Sequence, residues 1–138
     1  MDQKSTMLSK VPLFADLSGH DLEAVGRLAD EVSVREGKVL ATEGGTGHEF
    51  FVILDGTVAI TRGGTHVRDL GPGEHFGELA MIANVPRTAT ATAASPATLL
   101  VIGHREFTSL LDAQPQIREK VLRSVATWIT EIAPGRTN

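Results

Sequence analysis

The spacing of apolar positions divides the chain into a helical start, a strand-rich middle and a helical end. In the first part, apolar residues recur at the three- and four-residue spacing of one helix face: Leu22, Val25, Leu28 and Ala29. Ser18 is placed to cap this helix, with Asp21 three residues on. Residues 11–14, before the cap, predict a docking segment that buries Phe14. We therefore expect helical structure over residues 1–30.

The middle of the chain, residues 31–103, has the pattern of short strands separated by glycine turns. β-rich runs occupy residues 32–34, 38–41, 49–54, 57–61 and 97–102, and residues 88–93 alternate strictly between threonine and alanine. The Asp55-Gly56 pair between two of these runs predicts a β-hairpin. Ten of the 14 glycines lie between Gly37 and Gly77, which indicates many tight turns. Regular short strands with such turns favour a jelly roll or a barrel.

The last part returns to helical spacing. Residues 104–111 predict one short helix, residues 112–115 a hinge, and residues 115–132 a longer helix that begins with a proline. One apolar stripe follows the longer helix: Ile117, Val121, Val125, Trp128 and Ile132. The stripe could form a helix–helix dimer seam, or it could pack on the strands and move as a lid over a ligand. We favour packing and a lid, because the stripe is short for an independent coiled coil.

Composition and charge narrow the class of protein. The 138 residues fit one domain, and the formal net charge of −4 without a basic block argues against direct nucleic-acid binding. The absence of cysteine excludes disulfides and thiolate chemistry, and it fits a cytoplasmic location. The first nine residues are polar, unlike a signal peptide, and no apolar run approaches the roughly 20 residues of a membrane span. We therefore expect a soluble cytoplasmic domain without membrane contact.

The most informative stretch covers residues 76–89 and combines groups that suit a nucleotide. Gly77 and Glu78 stand where a short helix would begin, and free N–H groups at a helix start attract an anion. Arg87 follows nine residues after the carboxylate and offers a planar fork that fits two phosphate oxygens. Because a carboxylate repels phosphate, Glu78 must face another part of the ligand, most simply a ribose hydroxyl. Together these needs describe a nucleotide with few phosphates and an accessible sugar.

The same stretch, FGELAMIANVPRTA, resembles the phosphate-binding cassette of cyclic nucleotide-binding domains, which is roughly F-G-E-[LI]-A-x-[LI]-x-x-x-P-R-[TAS]-A. Residues 43–56 are also similar to the family's E-G-x-x-G-D-x-F-Y-I-I-x-x-G. They depart from it at His48, where an acid is usual, and at Phe51, where tyrosine is common. Since these are turn and core positions, the departures bear little on ligand binding. With the order of elements, the resemblance covers nearly the whole chain.

The resemblance implies a mainly β fold with flanking helices. This fold is an eight-stranded double-stranded β-helix, or jelly roll, with an N-terminal helix, a short cassette helix and two C-terminal helices. The single domain, residues 1–138, would comprise a helical part (1–30), a β-roll (31–103), C-terminal lid or dimer helices (104–133) and a tail (134–138).

The resemblance also implies the roles of the site residues. Glu78 would accept a hydrogen bond from the ribose 2′-hydroxyl, and Arg87 would be the counter-charge of the cyclic phosphate. Thr88 and Ala89 would add N–H donors, and a threonine at this position is compatible with cAMP and with cGMP. The predicted ligand-binding residues are Phe76, Gly77, Glu78, Leu79, Ala80, Pro86, Arg87, Thr88 and Ala89.

The function implied is ligand sensing by a regulatory module, not catalysis. The ligand would be cAMP on family frequency, with cGMP open, and no cofactor or metal would be needed. Binding would be relayed through the C-terminal helices to an effector domain or partner that the sequence does not name. A homodimer through the last helix stays open, as does the choice between a stand-alone binder and a domain of something larger.

Two alternatives come from other classes of protein. The segment at residues 72–75 faintly resembles part of a cupin metal motif, which would make a metal-dependent enzyme that depends on His75. A cupin site needs a His-x-His pair with a following Glu, however, and this chain has none. We therefore interpret His48, His66 and His75 as turn histidines. The second alternative is a degenerate domain that only contacts proteins, which the intact Glu78 and Arg87 disfavour.

Overall fold

The computed structural model describes residues 3–132, and among their side chains it leaves out those of residues 128, 131 and 132. The helices are α1 (Gln3–Ser9), α2 (Gly19–Leu28), α3 (Glu78–Ala83), α4 (His104–Ala113) and α5 (Pro115–Ile132), with a 3₁₀ helix at Pro12–Phe14. The strands are β1 (Ala29–Val34), β2 (Val39–Ala41), β3 (Glu49–Asp55), β4 (Val58–Arg62), β5 (Thr65–Leu70), β6 (His75–Phe76), β7 (Thr90–Ala93) and β8 (Ala97–Gly103).

The eight strands form two antiparallel four-stranded sheets. One sheet has the order β1-β8-β3-β6, and the other has the order β2-β7-β4-β5. Strand β8 lies between β1 and β3, and its residue Ile102 is paired with Ala29 on one side and Phe50 on the other. The predicted jelly roll with flanking helices is therefore confirmed.

The hairpin expected at Asp55-Gly56 is wrong. The turn joins β3 to β4, and these two strands lie in different sheets. Gly56 has a φ of 92°, and a Cβ at this position would lie 2.4 Å from the carbonyl oxygen of Pro96, so the glycine lets the chain turn a corner against β8. The β4–β5 hairpin forms instead around Gly63 and Gly64, both with positive φ, as a tight turn between twisted strands requires.

The helix boundaries agree with the sequence signals at Ser18 and depart from them at Ala29 and after α4. Ser18 caps α2 by accepting a 3.1 Å hydrogen bond from the N–H of Asp21, as predicted. Ala29 was expected in this helix but begins β1, because its backbone enters the ladder with β8. Lys4 Nζ donates to the carbonyl oxygens of Gly26 and Ala29 at 2.6 Å each, which fixes this transition. The hinge after α4 is shorter than expected, since the helix continues to Ala113.

Two apolar cores support the site. The inner core fills the roll between the two sheets. The outer core lies between the β1-β8-β3-β6 sheet and the helices. Ile117, Val121 and Val125 of α5 are buried in the outer core, as is Phe14. The packing predicted for the α5 stripe is thereby confirmed for these three residues, whereas Trp128 and Ile132 lie outside the described side chains.

No helix within residues 3–132 is both long and apolar enough to span a membrane. The tail expected at residues 134–138 lies outside the described residues.

Candidate functional site

The cassette turns from strand to helix at Gly77. Its φ of 101° places it in the left-handed region, where a side chain would be strained. A Cβ here would also lie 2.7 Å from Arg87 Nη1 and 2.8 Å from the carbonyl oxygen of Glu49. Asn84 ends α3 in the left-handed conformation, which asparagine tolerates better than most residues. The glycine thus brings the backbone of the turn against the guanidinium of Arg87.

Arg87 is fixed by its backbone and by its side chain. Its N–H donates to the carbonyl oxygen of Gly45, and its own carbonyl oxygen accepts from the N–H of Gly44, both at 2.8 Å. In the side chain, Nη2 donates to the carbonyl oxygen of Glu49 at 2.8 Å and Nη1 to that of Gly77 at 3.3 Å. The residue is only 8% exposed. A charged fork is therefore held against two neutral carbonyl groups.

The electrostatics of Arg87 favour an anion. Burial lowers the pKa of the guanidinium, while the nearby carboxylates of Glu49 and Glu78 act to raise it. An arginine stays charged under these conditions, so its desolvation is only partly offset. A phosphate would give the fork a charged acceptor in place of the two carbonyl groups, and such hydrogen bonds are roughly twice as strong as neutral ones.

Glu78 begins α3 and is only 1% exposed. Its Oε2 accepts a 2.9 Å hydrogen bond from the Ser124 hydroxyl on α5. His75 Nδ1 lies 2.7 Å from the same oxygen, within ion-pair distance but without hydrogen-bond alignment. The interpretation of His75 as a turn histidine is wrong, because it belongs to β6 and contacts the cassette carboxylate. Ser124 was missed, since nothing in the sequence connects it to Glu78.

One cleft inside the roll collects most of the predicted ligand-binding residues. The predicted residues that line it are Phe76, Gly77, Glu78, Leu79, Ala80, Arg87, Thr88 and Ala89. Pro86 instead lines a separate surface depression beside residues 44–48. Ala41, Ile60 and Ala91 also line the cleft but were not predicted. Ala91 lies in the threonine–alanine alternation, which could have signalled an inward-facing small residue.

The cleft is narrow. Its cavity volume is only about 40 Å³. A nucleotide would therefore need side chains to move, and the most direct change is for Arg87 to leave its two carbonyl partners.

Backbone donors surround the same space. The first N–H groups of α3 lack an acceptor within the helix, as at every helix start. Across the described residues, no backbone carbonyl accepts from the N–H of Thr88 or of Ala89. The N–H groups of α3 lie at one end of the cassette, and those of Thr88 and Ala89 lie at the other end with the guanidinium. One anion between the two ends would accept hydrogen bonds from both.

Among the residues that the structure describes, no group of three His, Cys, Asp or Glu side chains is placed to hold a metal ion. The metal-dependent enzyme considered above therefore has no candidate centre in this part of the chain.

Relatives of this chain occur in two kinds of regulated protein. It is 33% identical over 113 residues to a cyclic nucleotide-gated potassium channel from Mesorhizobium japonicum, covering 82% of this chain and 31% of the channel. It is 28% identical over 131 residues to a cAMP-dependent protein kinase regulatory subunit from Hypocrea atroviridis, covering 94% of this chain and 28% of the subunit. The chain thus spans about a third or less of the length of these relatives.

A solved structure shares the fold. The catabolite activator protein of Thermus thermophilus superposes with a TM-score of 0.78 at 25% identity, over 87% of this chain and 59% of that protein. The relatives are regulatory subunits and channel domains and not enzymes, in agreement with the binding role predicted.

The family comparison covers the β-roll and the first C-terminal helix. The family described as "Cyclic nucleotide-binding domain" matches residues 31–114, which is more than half of the chain and includes the entire cassette. Domains of this kind bind the nucleotide as a ligand and need no cofactor. The chain therefore belongs to the cyclic nucleotide-binding domain family.

Proposed function

We propose that this domain binds cAMP in the cleft and acts as a ligand-sensing regulatory module. The observation that carries the proposal is the buried Arg87 fork, held on neutral carbonyl groups beside a buried carboxylate. One relative favours cAMP, because the kinase subunit from Hypocrea atroviridis is cAMP-dependent. Thr88 keeps cGMP as the second candidate ligand.

Each polar group of the cleft has a partner on such a ligand. The cyclic phosphate takes Arg87 away from the carbonyl oxygens of Glu49 and Gly77 and accepts from the N–H groups of the cassette. The ribose 2′-hydroxyl donates to Glu78. Leu79 and Ala80 at the start of α3 contribute close backbone approach, and Ile60 and Ala91 supply apolar walls.

The proposed relay passes from α3 to α5. Leu79 and Met81 of α3 are buried in the same outer core as Val121 and Val125 of α5. A ligand that pulls α3 into the cleft changes this shared packing, so α5 would have one arrangement with the ligand and another without it. The two arrangements would differ in affinity for the ligand. The effector that reads α5 is not identified by these residues.

A homodimer through α5 remains part of the proposal. Leu122 and Ile129 are exposed on this helix, seven residues apart, and Leu122 is 48% exposed. Two apolar residues at this spacing lie on one face, beside the buried stripe. A second copy of the chain could cover them without disturbing the outer core.

The organisation as one domain and the cytoplasmic location are also proposed. The domain has a helical start, a β-roll and C-terminal helices, which the packing of α1, α2, α4 and α5 on one core supports. The lack of cysteine supports a reducing compartment.

Calorimetric titration with cAMP and with cGMP tests the proposal. We expect micromolar or tighter binding of cAMP by the natural chain and loss of at least tenfold in affinity for Arg87→Ala. Arg123→Ala is the matched control, because Arg123 is exposed on α5 and pairs with Glu119. Absence of binding by the natural chain, or equal affinity of the two variants, would contradict the proposal. Absence of nucleotide binding would also favour the alternative of a degenerate domain that only contacts proteins.

A further inference from the structure

Helix α5 reaches the cleft carboxylate through one side chain. Ser124 lies between Val121 and Val125 of the buried stripe, and its hydroxyl donates to Glu78 Oε2 at 2.9 Å. The two residues are 46 positions apart in the sequence. Because an uncompensated buried carboxylate is costly, this hydrogen bond matters both for Glu78 and for the position of α5.

Glu78 lines one cavity, and its two neighbours His75 and Ser124 line another. The first is the cleft of the cassette. The second, of about 480 Å³, lies between α5 and the roll. Val121 and Val125 beside Ser124 are packed in the outer core, whereas Ser124 itself faces this cavity. The hydroxyl–carboxylate bond is a polar connection from α5 to the cassette beside this cavity.

The two oxygens of Glu78 are used unequally. Both described neighbours, the Ser124 hydroxyl and His75 Nδ1, lie against Oε2. A carboxylate offers about four acceptor positions, so a sugar hydroxyl and Ser124 can bind one carboxylate together.

We propose that Ser124 is the positioning residue that couples α5 to the sugar side of the nucleotide. It holds the Glu78 carboxylate oriented for the ribose 2′-hydroxyl, and the bound sugar in turn holds the carboxylate for Ser124. By thermodynamic reciprocity, the ligand strengthens the docking of α5 by the same factor by which docked α5 strengthens ligand binding. This inference rests on the proposed function.

A purely structural role for Ser124 makes a different prediction. If the serine only stabilises α5, its loss weakens every ligand of the cleft to the same extent, whether or not the ligand has a 2′-hydroxyl. If it positions Glu78 for the sugar, its loss weakens only ligands that carry this hydroxyl. A comparison of cAMP with 2′-deoxy-cAMP separates the two roles.

The experiment measures the affinities of both nucleotides for the full chain, for Ser124→Ala and for Thr127→Ala. Thr127 is the matched control, because it lines the same cavity but its hydroxyl donates to the Arg123 carbonyl oxygen within α5. We expect Ser124→Ala to weaken cAMP binding about three- to tenfold, the range of the net contribution of one ordinary hydrogen bond, and to change 2′-deoxy-cAMP binding less than about twofold. Thr127→Ala should leave both affinities unchanged.

A double-mutant cycle with Glu78→Gln gives a second readout. If Ser124 acts through the carboxylate, Ser124→Ala should have little further effect on cAMP affinity in the Glu78→Gln background. Full additivity of the two substitutions would overturn the proposal.

The outcomes separate this inference from the proposed function. Equal weakening of both nucleotides by Ser124→Ala, or no weakening of either, overturns the role of Ser124 while Arg87-dependent binding still stands. Failure of the natural chain to bind cAMP overturns both.

Discussion

Gly77 and Arg87 depend on each other where the turn of the cassette meets the guanidinium. The glycine has a φ of 101°, and its missing Cβ leaves the space that the guanidinium fills. The arginine in turn donates to the glycine's carbonyl oxygen. Neither residue can change without disturbing the other, so the spacing of ten residues between them has a structural cause as well as a role in ligand binding.

Gly77→Ala tests this contact. The alanine is strained in the left-handed region and meets Arg87 Nη1, so we expect the free energy of unfolding to fall by about 1–3 kcal/mol. We also expect weaker cAMP binding, because the fork is displaced. Denaturant unfolding measures the first effect and calorimetry the second. Gly71→Ala is the control, since a Cβ there meets nothing within 4 Å and its φ is not in the left-handed region; equal stability of the two variants would contradict the account.

Arg87→Lys tests whether the planar fork matters beyond its charge. An ammonium is one point charge and cannot donate to two phosphate oxygens in one plane. We therefore expect about tenfold or greater loss of cAMP affinity by calorimetric titration, but less loss than in Arg87→Ala. If Arg87→Lys bound cAMP as tightly as the natural chain does, only the positive charge at residue 87 would matter for binding.

Whether the place of a residue could be predicted depends on how local its sequence signal is. The placement of Glu78 and Arg87 at one cleft could be predicted, because one continuous motif contains both. Ser124 could not, because its contact with Glu78 depends on how α5 packs across 46 residues of intervening chain. His75 was misinterpreted for the same reason: its place on β6, against the carboxylate, depends on pairing with β3.

At the scale of elements, α5 divides its residues between two surfaces. Ile117, Val121 and Val125 enter the outer core, while Leu122 and Ile129 stay exposed. The same helix thus stabilises the domain through one face and offers another for a partner. Substitution of the buried residues should affect folding, and substitution of the exposed residues should affect only association.

Ile117→Ala and Leu122→Ala compare the two faces. Ile117 is 0% exposed, so its truncation leaves a cavity and should lower the free energy of unfolding by about 2–5 kcal/mol. Leu122→Ala removes an exposed side chain and should change it by no more than about 0.5 kcal/mol in a monomer. Chemical denaturation measures both. A similar cost for the two substitutions would mean that Leu122 is also covered, for example by a second copy of the chain.

The elements of the roll show what local sequence can and cannot specify. Glycine and strand patterns were enough to predict a jelly roll or a barrel and most strand positions, and the resemblance of the cassette decided for the jelly roll. They were not enough at Asp55-Gly56, where the pair specifies a tight turn but not the sheet into which the next strand goes. Strand partners are decided by which apolar faces are buried together, and a local turn signal carries no information on this.

At the scale of the whole molecule, ligand binding and stability are linked, because the cleft exists only in the folded domain. A ligand that binds only the folded domain stabilises it by about 2.7 kcal/mol at a concentration of 100 times Kd. We expect cAMP to raise the unfolding midpoint of the natural chain in a concentration-dependent manner, and to raise that of Arg87→Ala less at the same concentration. A thermal scan with and without the nucleotide measures this, and an equal shift in both proteins would place the ligand outside the cleft.

The most direct test of the central claim is a crystal structure of the full chain with cAMP. The account predicts that the phosphate lies in the cleft and that Arg87 donates to its oxygens, having left the carbonyl oxygens of Glu49 and Gly77. It also predicts that the ribose 2′-hydroxyl donates to Glu78. A nucleotide bound elsewhere, or bound with Arg87 still on both carbonyl groups, would contradict the account.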